Sequence, residues 1–68
     1  MDLPKILGRN VRAWRKRREM SQEELALESD MKRSYVSDIE RGTRNPSVKA
    51  IERLAEALKV EPDLLLRR

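Results

Sequence analysis

The chain has 68 residues, of which 41% are charged, a net charge of +4, and neither cysteine nor histidine. That length makes one domain, residues 1–68, with a core too small to surround a large catalytic cleft. Without cysteine or histidine there is no disulfide framework, no thiolate or histidine acid–base chemistry, and no ordinary zinc ligand set. No metal site, cofactor or enzymatic activity is expected. No apolar run approaches the ~20 residues that span a bilayer. The start, Met1 to Leu7, is too short for a signal peptide and holds Asp2, Pro4 and Lys5. The chain reads as cytoplasmic.

Helices are expected throughout, since no period-two run signals a strand. The first runs from about Leu3 to Arg18, with Pro4 in its first turn. Leu7, Val11 and Trp14 recur at i, i+4 and i+7 and form its buried stripe. Trp14 is therefore read as core rather than as a stacking platform. The basic residues Lys5, Arg9, Arg12, Arg15, Lys16, Arg17 and Arg18 meet a single acid, Asp2, in this stretch. From Glu19 to Asp30 all charges are acidic. Such asymmetry fits a polyanion partner, and charge alone fits a solvated mixed surface equally well.

Ser21 and Glu24 form an S-x-x-E capping box that opens a second helix with Leu25 and Ala26 inward. A third begins at Lys32 or Arg33 and runs to Arg41, with Val36 and Ile39 inward and Gly42 as a left-handed cap. Thr43 to Pro46 make a polar loop. Ser47 caps a fourth helix whose stripe is Ile51, Leu54, Ala55 and Leu58. Val60 adds a core anchor. Pro62 opens a short fifth helix carrying Leu64, Leu65 and Leu66. The expected fold is thus all-α, a compact five-helix domain.

Two short helices joined tightly at Met31 make a helix-turn-helix. Its second helix leaves Arg33, Ser34, Ser37 and Asp38 on one outward face, suited to reading base edges. Arg33 has the fork that bonds guanine O6 and N7. Ser34 and Ser37 are short and permissive. Asp38 is repelled by phosphate. It either accepts from cytosine N4 or orients Arg33 or Arg41 by a salt bridge, and the second is favoured because acids seldom read bases.

The chain resembles the lambda-repressor/Cro-type (XRE-like) helix-turn-helix family over nearly its full length. The resemblance is carried by Leu7-Gly8, Val11-Arg12, Trp14-Arg15, Met20 to Ala26, Ser34 to Gly42, Arg44 to Ser47 and Leu54 to Leu58. It implies a lambda-repressor-like domain that regulates transcription by binding double-stranded DNA, commonly as a homodimer on a palindrome. Matched to the family's motif, Gln22 bonds a phosphate and buttresses the recognition helix. Arg33, Ser34, Ser37 and Asp38 face bases. Lys32, at the mouth of that helix, lies close to phosphate or base, with phosphate as the assignment, and Arg44 and Asn45 lie beside the next phosphates. Arg15 and Glu40 form a partly buried ion pair, and the Arg15 to Arg18 cluster, Arg15 included, is expected to approach DNA in part. Tyr35 is assigned to phosphate in preference to the core edge. Glu19, Asp30 and Lys59 stand where the family often has glycine, and Lys32 replaces the frequent serine or threonine cap.

The chain ends at Arg68, directly after the fifth helix, so any dimer is expected to use the domain itself. Of Val60, Leu64, Leu65 and Leu66, one or two are expected to face a partner subunit; Leu64, Leu65 and Leu66 are the candidate dimer contact, Leu66 foremost. The competing expectation is that all of them close the monomer core. Small stand-alone members of the family include phage repressors, restriction–modification controllers and antitoxins. The alternative function is therefore an antitoxin-type module that binds a protein partner. A membrane-active basic helix is disfavoured by the acidic second helix.

Overall fold

A computed structural model describes Met1 to Arg68. Helix α1 spans Leu3–Arg17, α2 Gln22–Glu28, α3 Arg33–Arg41 and α4 Val48–Leu58. A 3₁₀ turn, Pro62–Leu65, ends the chain in place of the expected fifth α-helix. Its bonds run from Leu64 N–H to Glu61 O and from Leu66 N–H to Asp63 O, each three residues back. Four residues close these tight rings more readily than a full α-turn.

Local chemistry sets most helix starts. Asp2 accepts from Lys5 N–H at 3.2 Å and caps α1. At α2 both halves of the capping box form: Glu24 N–H donates to Ser21 Oγ at 3.0 Å, and Ser21 N–H to Glu24 Oε1 at 2.8 Å. Ser47 Oγ accepts from Ala50 N–H at 3.0 Å and caps α4. Each such cap stabilises its helix by about 1 kcal/mol. Of the four α-helices, α3 alone lacks a side-chain cap, because Lys32 has no acceptor to offer.

The helix ends turn left-handed. Gly42 does so without steric cost at φ 77°. Glu19, Asp30 and Lys59 adopt φ of 57°, 58° and 60°. Each of these costs roughly 1 kcal/mol, with Asp30 the cheapest. Arg18 offsets part of the cost at α4 by donating to Leu58 O at 2.8 Å and Lys59 O at 3.3 Å.

The core unites Leu7 and Val11 of α1, Leu25 and Ala26 of α2, Val36 and Ile39 of α3, and Leu54, Ala55 and Leu58 of α4. Leu65 completes it with no exposed surface. Leu65 is thus removed from the expected dimer contact: the 3₁₀ turn points it back onto α1 and α4, where full burial contributes about 1.5–3 kcal/mol. Trp14, Ile51 and Val60 pack at the margin of this core.

Gly8 lets α1 meet α3 backbone to backbone. A Cβ there would lie 2.3 Å from Ile39 O and 2.8 Å from Glu40 O. Gly8→Ala is therefore expected to lower the unfolding free energy by about 1–3 kcal/mol through overpacking. The melting temperature, followed by circular dichroism, then falls by roughly 5–20 °C. Alanine otherwise favours a helix by ~1 kcal/mol over glycine, so an unchanged or raised melt would refute the close approach.

Candidate nucleic-acid interface

The helix-turn-helix is α2, the turn from Ser29 to Lys32, and α3. Ser29 is buried, and its hydroxyl donates to Leu25 O at 2.6 Å, so the turn leaves no unpaired polar group inside. Val36 and Ile39 bury the inner side of α3 completely. This fixes its rotation and turns Arg33 and Ser34 fully outward, with Ser37 and Asp38 half-exposed. Gln22, Arg33, Ser34 and Ser37 line one open cleft of about 350 Å³ with no hydrophobic residue among its walls. Residues assigned to base edges and one assigned to phosphate thus come together.

Behind this cleft lies a buried ion pair. Arg15 Nε donates to Glu40 Oε2 at 2.6 Å and Nη2 to Oε1 at 3.1 Å. The side chains retain only 12% and 4% of their surface. Arg15 Nη1 donates to Met20 O at 2.8 Å, and Gln22 Nε2 to Glu40 Oε1 at 3.0 Å. Gln22 is therefore held against the recognition helix. The guanidinium of Arg15 points inward, with all its nitrogens engaged. The expectation that Arg15 also contacts phosphate is corrected to this extent: its side chain is largely covered and its nitrogens are spent on Glu40 and Met20 O.

Arg17 and Arg18 of the Arg15 to Arg18 cluster are also tied to the protein, whereas Lys16 is exposed. Arg18 closes α4, and the guanidinium carbons of Arg17 and Arg18 lie 4.9 and 5.1 Å from the Trp14 ring centroid. These are cation–π contacts at the core margin.

A second cleft, of about 400 Å³, opens beside the first and contains Lys32, Ser34, Tyr35, Arg44, Ser47 and Arg53 among its walls. Ser34 borders both. Arg53 was not singled out from the sequence, because its charge repeats no motif and only the crossing of α4 brings it here. Tyr35 packs on the core edge while Arg44 lies 4.7 Å from its ring centroid. Asp38 pairs with Arg41 and, at 3.2 Å, with Arg44. Its partners are therefore Arg41 and Arg44 rather than Arg33. Asn45 is exposed but borders a different groove, made with Leu3, Pro4, Leu7, Pro46, Ile51 and Leu66. No helix is long and apolar enough to cross a membrane.

The helix-turn-helix family model matches residues 11–65, which contain α2, α3 and α4 entire. The chain belongs to this XRE-type helix-turn-helix family. It is 52% identical over 62 residues to control protein C.BamHI of Bacillus amyloliquefaciens, covering 90% of this chain and 76% of that one. Its fold is similar to that of the restriction–modification controller protein C.AhdI from Aeromonas hydrophila, with TM-score 0.89 and 44% identity over 91% of this chain and 94% of the other. It is also similar to the controller protein C.Esp1396I, solved as a tetramer in complex with its natural 35 base-pair operator. There the TM-score is 0.87 and the identity 31%, over 96% of this chain and 86% of that one.

Glu40→Ala leaves the Arg15 charge buried without its carboxylate. The expected loss of stability is about 3–5 kcal/mol by urea denaturation. A loss under ~1 kcal/mol would put the pair among ordinary exposed salt bridges.

Proposed function

We propose that this chain is a sequence-specific, double-stranded-DNA-binding transcriptional regulator of the controller kind. It acts as a homodimer on a pseudo-palindromic operator in the cytoplasm, and it binds rather than catalyses. The observation that carries the proposal is the polar cleft of Gln22, Arg33, Ser34 and Ser37 at the exposed start of α3. An α-helix end fits the major groove, and its first residues then meet base edges. Arg33 bonds a guanine bidentately, while Ser34 and Ser37 bond bases or phosphate. Gln22, Lys32, Tyr35, Arg44 and Asn45 serve the backbone, and Arg53 joins them from α4. Contacts of this second kind set the register and carry most of the salt dependence. The relatives that are control proteins, and the neighbour solved on its operator, support the same conclusion.

Leu64 and Leu66 remain half-buried after Leu65 has turned into the core. Leu66 borders an open, mainly apolar groove of about 190 Å³ with Leu3, Pro4, Leu7 and Ile51. A second copy covering this margin gives the two-fold arrangement that a palindrome requires. The two recognition helices would then meet half-sites about one helical turn, ~34 Å, apart.

Selection from random duplexes is expected to enrich a palindrome bound by two chains. Absence of enrichment at low salt by the folded protein would turn the assignment to a protein-binding module. On the selected operator, Arg33→Ala is expected to cost about 1–3 kcal/mol of affinity and to relax one base position. Fluorescence anisotropy reads the first effect and a mismatch series the second; unchanged values remove Arg33 as a base reader. Leu66→Glu is expected to shift sedimentation from dimer to monomer while circular dichroism stays helical. A variant that remains dimeric would place the interface elsewhere.

A further inference from the structure

Asp38 is an acid on a face otherwise suited to meet polyanion. Both of its oxygens are engaged. Oδ1 accepts from Arg41 Nη2, and Oδ2 accepts from Arg44 Nη2 at 3.2 Å. Arg41 Nη1 also donates to Ser37 Oγ at 3.2 Å, and Arg44 lies over Tyr35. One carboxylate therefore holds two cations and, through Arg41, a serine of the polar cleft. The arginine side chains keep 64% and 50% of their surface, whereas Asp38 keeps 27%.

We infer that Asp38 determines specificity by exclusion: it positions Arg41 and Arg44 and penalises any duplex that draws them away without giving it a hydrogen-bond donor. The inference rests on the DNA-binding function proposed above. Phosphates of any sequence attract Arg41 and Arg44, and exposed ion pairs open easily. Once they open, Asp38 faces phosphate as an unpaired, partly desolvated carboxylate, and both terms are unfavourable. A matching operator avoids the penalty in one of two ways. It leaves the pairs with Asp38 intact, Arg44 meeting phosphate through the nitrogens that Asp38 does not hold, or it presents an amino group, cytosine N4 or adenine N6, to the carboxylate. The repulsion then falls mainly on wrong sequences. Specificity is a difference of affinities, and a repulsive element enlarges it.

Asn is nearly isosteric with Asp and lacks the charge. Asp38→Asn is expected to tighten binding to a scrambled duplex about tenfold or more while changing operator affinity far less, so that the specificity ratio falls about tenfold. Asp63→Asn is the charge control. It sits on the terminal turn, which packs on α1 and α4, in an exposed pair with Arg67 at 3.7 Å. It is expected to move both duplexes slightly and equally. Repeated selection with Asp38→Asn is expected to return a consensus that is degenerate at one position. If wild type selects an operator and Asp38→Asn keeps the same ratio, the inference is overturned while the DNA-binding function stands. Equal weakening on both duplexes with a lowered melt also overturns it, by making Asp38 merely structural. A wild type that selects no operator removes both.

Discussion

The carboxylate of Glu40 is where the elements of the helix-turn-helix are joined. It lies near the end of α3, accepts two bonds from Arg15 of α1, and takes a third from Gln22 at the start of α2. Arg15 also reaches Met20 O in the turn before α2. A buried charge is tolerable only when it is paired and its remaining hydrogen-bond capacity is filled. Here that requirement is met by groups from separate helices, so it fixes their relative placement. Gly8 acts in the same direction by letting α1 approach the α3 backbone at Ile39 and Glu40. The orientation of the exposed α3 face follows from these two constraints together with the burial of Val36 and Ile39.

The front of the site is built differently from its back. Behind α3 the ion pair is almost dry and triply bonded. In front, Asp38, Arg41 and Arg44 pair in partial solvent, where each bond is weak and salt-sensitive. The support behind α3 is thus rigid, while the charges on its outer face can rearrange. The packed side of α3 fixes the position of the helix, and its outward groups are left free to find partners in a groove.

Much of this was legible in the chain, and the legible parts share a cause. Asp2 aside, the capping residues were recognisable because a cap and its acceptor lie within three residues. The inner stripes followed from helical period. Gly42 was readable because a left-handed cap favours glycine. The outward set Arg33, Ser34, Ser37 and Asp38 followed from α3 geometry once its inner face was known. The Arg15–Glu40 pair came through family resemblance, since nothing local links residues 25 apart.

The parts that were not legible depend on how helices cross. Leu64, Leu65 and Leu66 look alike in sequence, yet the 3₁₀ turn sends Leu65 inward and leaves its neighbours at the margin. Arg15 and Arg18 sit in one basic run, yet one is buried beside Glu40 and the other closes α4, 40 residues away. Arg53 lines the second cleft only because α4 carries it beside Tyr35 and Arg44. By itself, then, the sequence determined the helices, their caps and the polar face of α3, because those depend on neighbours within a turn or two. Tertiary structure alone decided which cations and which leucines remain exposed, because burial and pairing are set by groups that the chain brings together from afar.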